Sequence, residues 1–280
     1  MRLLKIIFVT VVVCYVALCV GLYFEQARFI FAPQRDIDFT PKSYGCDFQE
    51  VLIPVNLQTL HAWWLPADPR KSSQMGSRTL IYSHGNGGDM SANAEHACRL
   101  RNLGLNVLLY DYRGYGDSSN EQPTEDTVFA DAEAAWKYLA KRDVSPAKVI
   151  IYGHSLGGAV AVEMAKKHSD ANALIVESSF TSIRDMADLS GNFRIFPLSL
   201  ILNQRLDSLE KIREIQMPSL FIHGTSDRVV PSQMGQRLYE ASAARRKDLF
   251  LVKNAGHENC AAMAGDAYQQ KVSQFLASKD

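Results

Sequence analysis

Ser155 lies in the pattern G-x-S-x-G, which reads GHSLG at 153–157. The pattern follows an apolar run, Lys148–Tyr152, and precedes small residues at 158–161 that suit the start of a helix. In a sharp strand–turn–helix connection of this kind, the serine is held in a strained conformation that exposes its hydroxyl group. The pattern therefore predicts a nucleophilic serine, and a serine that only caps the helix is the alternative.

A serine nucleophile needs a general base and an acid that orients this base. His257 lies in a loop after the last apolar run and is the last histidine of the chain. Asp227 follows another apolar run and lies between Ser155 and His257. Serine, acid and histidine occur in this order in one large class of hydrolases. We therefore expect His257 as the base and Asp227 as the acid, with Glu177 as the alternative acid and a solvated turn aspartate as the alternative for position 227.

A glycine-rich turn, HGNGGD at 84–89, follows the apolar run Thr79–Ser83. We expect the main-chain N–H groups of Asn86 and Leu156 to stabilise the oxyanion that forms when Ser155 attacks a carbonyl group. Since the main chain would do this, the side chain of Asn86 is expected to be dispensable. A phosphate-binding turn is the alternative, although the segment fits neither common nucleotide-binding glycine pattern.

The elements that would position these residues alternate between short apolar runs and segments of helical period. The runs are Thr79–Ser83, Asn106–Tyr110, Lys148–Tyr152, Ala173–Glu177, Ser219–His223 and Asp248–Val252. They are apolar throughout, as in strands that are covered on both faces. Helices are expected from about Asp89 to Leu103 and from Thr124 to Leu139, and an antiparallel pair at Asp47–Val55 and Leu60–Leu65. This order predicts an α/β fold with a doubly wound, mostly parallel sheet and a site at the carboxyl ends of its strands.

The N-terminal segment Ile6–Phe24 contains no charged residue. As a helix it would span roughly 29 Å, close to the ~30 Å hydrocarbon core of a bilayer. Arg2 and Lys5 precede it, which favours a cytoplasmic N-terminus and a globular domain on the other side. We expect a retained single-pass anchor with its juxtamembrane segment at 1–34 and a globular domain at 35–280. A cleaved secretory signal and a buried core helix are the alternatives.

The composition is that of an ordinary globular protein, with 47% hydrophobic and 21% charged residues. The 30 basic and 30 acidic residues give a net charge of +0, so no excess charge favours nucleic acid as a partner. The 5 cysteines follow neither a disulfide framework nor a zinc-binding spacing. We expect no metal and no cofactor, and the sequence does not indicate an oligomeric state.

The motifs HGNGG, DYRGYGDSS, GHSLGG, HGTSD and GHEN resemble the α/β-hydrolase superfamily over nearly all of the chain after residue 45. The chain is similar in particular to membrane-anchored serine hydrolases related to serine aminopeptidases and depalmitoylating thioesterases. The resemblance implies the triad Ser155, Asp227 and His257, and Asn86 and Leu156 as oxyanion donors, without a metal or organic cofactor. The HGNGG turn departs from lipases, which often carry a further glycine after His-Gly.

An apolar insertion at about 178–212 has two interpretations. It is either a short helical cap that receives an acyl chain or an ordinary helix face buried on the sheet. The expected function is hydrolysis of carboxylic esters or thioesters through an acyl-serine intermediate, with an acyl or lipid-like substrate. A peptidase or amidase that uses the same residues and a non-catalytic binding scaffold are the alternatives. The expected partners are a small-molecule or acyl-chain substrate and the membrane.

Overall fold

One mixed sheet forms the centre of the computed structural model, which describes residues 1–70 and 77–278. Within these residues eight strands pair in the order β1-β2-β4-β3-β5-β6-β7-β8. They are β1 (Gln49–Val55), β2 (Gln58–Leu65), β3 (Thr79–Ser83), β4 (Asn106–Tyr110), β5 (Val149–His154), β6 (Ala173–Glu177), β7 (Ser219–Gly224) and β8 (Lys247–Val252). β1 and β2 pair antiparallel, as do β2 and β4, and the other neighbours are parallel. The predicted doubly wound α/β architecture is confirmed.

Helices connect the strands and precede the sheet. They are α1 (Arg2–Ile30), α2 (Met90–Arg101), α3 (Glu125–Lys141), α4 (Leu156–Lys167), α5 (Ile183–Ser190), α6 (Leu198–Ile201), α7 (Ser208–Lys211), α8 (Ser232–Ala241), α9 (Cys260–Ala264) and α10 (Asp266–Ala277). Short 3₁₀ helices lie at Pro41–Tyr44, Pro146–Lys148 and Ile212–Glu214. Side-chain caps fix two of the starts, since Asp89 accepts the N–H of Ser91 before α2 and Thr124 that of Thr127 before α3.

The central strands are buried on both faces, as their continuous apolar runs predict. Every residue of β3, β5 and β6 is buried. Successive side chains point to opposite faces of the sheet, so Ile150 joins one apolar cluster and Ile151 the other. Two packed faces hold the carboxyl ends of these strands rigidly along one edge, which is where the candidate site lies.

The insertion between β6 and β7 contains α5, α6 and α7 and is called the cap below. The side chain of Ser182 accepts the N–H of Asp185 and starts α5, and Gly191 ends it with a φ of 71°. Such a left-handed turn favours glycine, because a Cβ would be strained there. The turn reverses the chain so that α6 comes to lie next to α1.

Cys46 and Cys98 form a disulfide that joins the segment before β1 to α2. The expectation that the cysteines form no disulfide is therefore wrong for this pair. The two residues are 52 positions apart in sequence, and only the fold brings their Cα atoms to 6.0 Å. Cys14, Cys19 and Cys260 are free.

Helix α1 extends beyond the apolar run at both ends, and its last turns are packed on the rest of the chain. Among the described residues it is the one helix that is long and apolar enough to cross a membrane. Its side chains are mostly exposed up to Phe24, whereas Gln26, Ala27 and the following Phe31 are buried. The last turns of α1 are thus docked on the domain.

Candidate active site

Ser155 sits on a sharp turn between β5 and α4 and has a φ of 53° and a ψ of −118°. This left-handed conformation is costly for a residue with a side chain, by on the order of 1–3 kcal/mol. Close backbone contacts enforce it, because a Cβ on Gly153 would lie 2.0 Å from the carbonyl oxygen of Gly157, and one on Gly157 would lie 1.9 Å from that of Ser83. The glycines of the motif are therefore required sterically.

His257 connects Ser155 to Asp227. Its Nε2 lies 2.9 Å from the Oγ of Ser155, and its Nδ1 lies 2.8 Å from Oδ2 of Asp227. With the Nδ1–H donated to the carboxylate, the lone pair of Nε2 faces the serine hydroxyl and can accept its proton. The structure thus brings together three residues that the sequence analysis selected from distant parts of the chain.

The carboxylate of Asp227 is held in its charged form. Its Oδ1 accepts the N–H groups of Val229 and Val230, both at 2.9 Å, and Nε2 of His223 lies 3.2 Å from Oδ2. Burial acts to raise the pKa of Asp227, but hydrogen bonds from His223, His257 and Val230 outweigh it and keep the pKa below its usual range. A charged carboxylate at this position orients the imidazole and stabilises it when it takes up a proton.

Glu177, the alternative acid, is engaged elsewhere. Its Oε2 accepts the hydroxyl of Tyr152 at 3.0 Å and that of Tyr268 at 2.5 Å. The structure therefore brings Asp227, and not Glu177, to His257.

His154 contacts the main chain of His257, which the sequence analysis did not predict. Its Nε2 lies 3.0 Å from the carbonyl oxygen of His257, so the residue before the serine braces the loop that carries the histidine. The sequence carries no signal for this contact, since the two residues are 103 positions apart.

The expected oxyanion donors, Asn86 and Leu156, lie just after the carboxyl ends of two neighbouring strands, β3 and β5. Ser83 of β3 pairs with Gly153 of β5, so the turn that carries Asn86 lies beside the serine turn. Leu156 is the first residue of α4, where main-chain N–H groups have no partner within the helix. Asn86, Ser155 and Leu156 line the same cavity.

The side chain of Asn86 makes contacts that the sequence analysis did not anticipate. Its Nδ2 donates to the carbonyl oxygen of Ile30 at 2.7 Å. Its Oδ1 accepts the N–H of Ala32 at 2.9 Å and the hydroxyl of Tyr115 at 2.7 Å. This side chain joins the end of α1 to the glycine-rich turn, so the expectation that it is dispensable overlooked a structural part that it plays.

A cavity of about 310 Å³ opens beside Ser155 between α1 and the cap. Its lining is mostly apolar, and none of the described residues that line it is charged. The lining residues are Leu22, Gln26, Phe29, Ile30, Asn86, Ser155, Leu156, Phe180, Ile183, Met186, Ala187, Ser190, Phe193, Leu198, Ile201, Leu202, Val229 and Val230. A mostly apolar cavity with few polar groups suits a hydrocarbon ligand.

A group of potential metal ligands overlaps the serine–histidine pair. Ligand atoms of His154, His257 and Glu258 lie within 4.8 Å of one another. Nε2 of His257 faces Ser155 and Nε2 of His154 faces a carbonyl oxygen. A metal ion there would therefore compete with both hydrogen bonds.

Comparisons with known proteins agree with this architecture. A family profile described as "Serine aminopeptidase, S33" matches residues 76–209 and 201–261. An uncharacterised protein of Mycobacterium tuberculosis is 34% identical over 258 residues, which cover 89% of either chain. Protein bem46 of Schizosaccharomyces pombe is 30% identical over 86% of this chain and 80% of its own. Alpha/beta hydrolase domain-containing protein 17B of Homo sapiens is 35% identical over 72% of this chain and 67% of its own.

A similar solved structure is that of the Pyrococcus furiosus esterase Pf2001. It superposes with a TM-score of 0.69 at 21% identity and covers 88% of this chain and 97% of its own. At this identity the likeness establishes the shared fold. The family match over most of the globular domain, together with the sheet order, shows that the chain is an α/β-hydrolase and belongs to the serine aminopeptidase S33 family.

Proposed function

We propose that this protein is a serine hydrolase that cleaves carboxylic esters or thioesters through an acyl-serine intermediate. Ser155 is the nucleophile, His257 the general base and Asp227 the acid that orients it. Asn86 and Leu156 donate main-chain N–H groups to the oxyanion. The observation that supports this most is the continuous hydrogen-bonded chain of 2.9 and 2.8 Å from Ser155 through His257 to Asp227, at the wall of an apolar cavity.

The proposed reaction has two halves. Nε2 of His257 takes the proton of Ser155 as Oγ attacks the carbonyl carbon, and the oxyanion is stabilised by the two N–H groups. The imidazolium then gives this proton to the leaving alcohol or thiol as the tetrahedral intermediate collapses to the acyl-serine. Water, deprotonated by His257, attacks the acyl-serine, and the imidazolium returns the proton to Oγ of Ser155 as the carboxylic acid leaves.

The cavity supports an acyl ester more than a peptide. An aminopeptidase binds a charged α-amino group, which favours a carboxylate in the substrate pocket. The described residues that line the cavity carry no charge, and most are aliphatic or aromatic. Burial of hydrocarbon contributes about 25 cal/mol per Å² of apolar surface, so such a lining favours an acyl chain.

A peptidase or amidase is the second candidate, because of the family that the chain belongs to and because of Glu258. Oε1 of this exposed residue lies 3.8 Å from Nε2 of His257, within reach of a substrate's ammonium group beside the serine. On this alternative, Glu258→Gln removes hydrolysis of aminoacyl amides and leaves ester hydrolysis unchanged.

A matched panel of substrates tests the proposal and separates the candidates. We expect the full chain to hydrolyse acyl esters and thioesters faster than aminoacyl amides of similar size. Ser155→Ala should lower the rate at least 10³-fold, because the triad acts as a unit. Ser169→Ala, which alters an exposed serine that does not line the cavity, should change it less than twofold. Hydrolysis that persists in Ser155→Ala would contradict the proposal, and no hydrolysis of any substrate would favour a binding scaffold.

We further propose that α1 anchors the protein with its globular domain on the non-cytoplasmic side. Arg2 and Lys5 before the apolar run favour this orientation. The disulfide between Cys46 and Cys98 supports it too, since disulfides persist mainly in oxidising compartments. Protease added to sealed membrane vesicles whose non-cytoplasmic face is outside should then digest the domain, and protection of the domain would contradict this orientation.

A further inference from the structure

The apolar helix α1 supplies one wall of the cavity beside Ser155. Leu22, Gln26, Phe29 and Ile30 line it on this side. Leu22 belongs to the uncharged run that is long enough to cross a bilayer. The cavity thus connects a segment of membrane-spanning composition with the candidate nucleophile, which an anchor that served only to localise the enzyme would not require.

Specific hydrogen bonds fix α1 against the cap. Gln26 is only 5% exposed, and its Nε2 donates to the carbonyl oxygen of Ile201 at 3.1 Å. Its Oε1 accepts the N–H groups of Asn203 and Gln204 at 2.9 and 3.1 Å. A buried amide with its partners satisfied has one geometry, because leaving any of these buried groups unpaired is strongly destabilising. The wall formed by α1 is therefore a defined surface.

The cap also contacts α1 deep inside its apolar run. The hydroxyl of Tyr15 donates to the carbonyl oxygen of Ile195 at 2.6 Å, and its ring stacks on Phe196 at 6.3 Å between centroids. Tyr15 lies about 10 Å further along the helix axis from the globular domain than Leu22, at 1.5 Å per residue. If α1 crosses a bilayer, this part of the cap lies within its apolar layer.

Two exposed side chains of the cap fit that position. Ile195 and Leu200 are 69% and 81% exposed. Exposure of apolar side chains of this size to water is unfavourable, whereas contact with lipid acyl chains is favourable. The pairing of Tyr15 with a main-chain carbonyl also satisfies two polar groups that would find no water there.

From these contacts we propose that the space between α1 and the cap is an acyl-chain site that opens into the bilayer. It takes the single acyl chain of an ester or thioester dissolved in the membrane and leads its carbonyl group to Ser155. The inference rests on the proposed hydrolase function and adds the substrate class and its route. At about 310 Å³ the cavity lies at the lower end of the range for ligand pockets, which suits one acyl chain.

The test uses the full chain in phosphatidylcholine vesicles with 4-methylumbelliferyl acetate and decanoate. Leu22→Trp narrows the site, and we expect kcat/KM for the decanoate to fall at least tenfold while that for the acetate stays within twofold. Leu22→Ala widens the site and should shift the preferred chain to a longer one. Phe24→Trp is the matched control, since Phe24 is 74% exposed on the same helix and does not line the cavity; both esters should stay within twofold.

Entry from the bilayer is tested with cholesteryl decanoate, an ester that is too insoluble in water to leave its vesicle. Protein and ester in the same vesicles should release decanoic acid at least tenfold faster than protein and ester in separate vesicles, and equal rates would overturn entry from the membrane. Equal effects of the two Leu22 variants on acetate and decanoate would overturn the acyl site. Both results leave the proposed hydrolase function standing, whereas failure of the unaltered chain to hydrolyse either ester would remove that function itself.

Discussion

Replacement of Asp227 by asparagine isolates the part that its charge plays. Oδ1 accepts the N–H groups of Val229 and Val230, and Oδ2 accepts the Nδ1–H of His257. An amide has a single acceptor oxygen and an NH₂ group that only donates. If its oxygen keeps the two main-chain donors, its NH₂ group faces Nδ1 of His257 and holds the proton on Nε2. The histidine then presents an N–H, and not a lone pair, to Ser155.

The opposite orientation of the amide is no better. With its oxygen toward His257, the NH₂ group faces the N–H groups of Val229 and Val230, and these donors, of which that of Val230 is buried, lose their acceptor. Loss of one such partner costs about 1–3 kcal/mol, so the first orientation should prevail. A wrong tautomer of this kind lowers kcat about 10⁴-fold in a serine protease. This corresponds to about 5 kcal/mol of transition-state stabilisation, and we expect the same order of loss here.

The assay is kcat/KM for a chromogenic ester with the full chain, together with circular dichroism to verify the fold. Glu177→Gln is the matched control, since a glutamine keeps a carbonyl oxygen for the hydroxyls of Tyr152 and Tyr268. It should lower kcat/KM less than tenfold. A loss in Glu177→Gln that equals or exceeds that in Asp227→Asn would refute the assignment of the acid.

Three further results are expected. Gly157→Ala should lower the free energy of unfolding, measured by urea titration, by about 3 kcal/mol, because the new Cβ would collide with main-chain oxygen atoms. Gly87→Ala, with open space around its Cβ, should leave the free energy of unfolding unchanged. Equal effects of the two variants would contradict the steric argument. Asn86→Ala should cost about 2 kcal/mol in the same measurement through the loss of three hydrogen bonds, and a neutral effect would show that the junction with α1 is not held by them. The esterase rate should rise with pH, because a general base must be unprotonated to accept the proton of Ser155, and a flat profile from pH 5 to 9 would contradict a histidine base. The lowered pKa of Asp227 contributes stability that is present above about pH 3.9 and is lost as the pH falls below it.

The sheet was predictable because the sequence of each central strand indicates a buried strand by itself. Buried parallel strands appear in the sequence as unbroken apolar runs, and five of the six predicted runs differ from the observed strands by at most one residue at either end. Thr79–Ser83 and Ala173–Glu177 coincide with β3 and β6. The candidate triad was predictable for the same reason. Ser155, Asp227 and His257 each follow a strand, and parallel strands bring their carboxyl ends to one edge of the sheet.

Features that depend on side-chain direction were not predictable. The apolarity of α1 is plain in the sequence, but its composition does not reveal that Leu22 and Gln26 face a cavity. Spacing also hides the pairing of Cys46 with Cys98, because the contact arises only when α2 packs near the segment before β1. Asn86 was selected for its main chain, and the three partners of its side chain come from segments that only the folded chain brings together.

Covalent labelling with a fluorophosphonate tests the central claim most directly. This probe reacts with a serine only where a base activates the hydroxyl and an oxyanion site accepts the phosphoryl oxygen. We predict one adduct per chain, located by mass spectrometry on Ser155 and lost in His257→Ala. No adduct on Ser155, or an adduct that forms at the same rate without the imidazole of His257, would contradict the account.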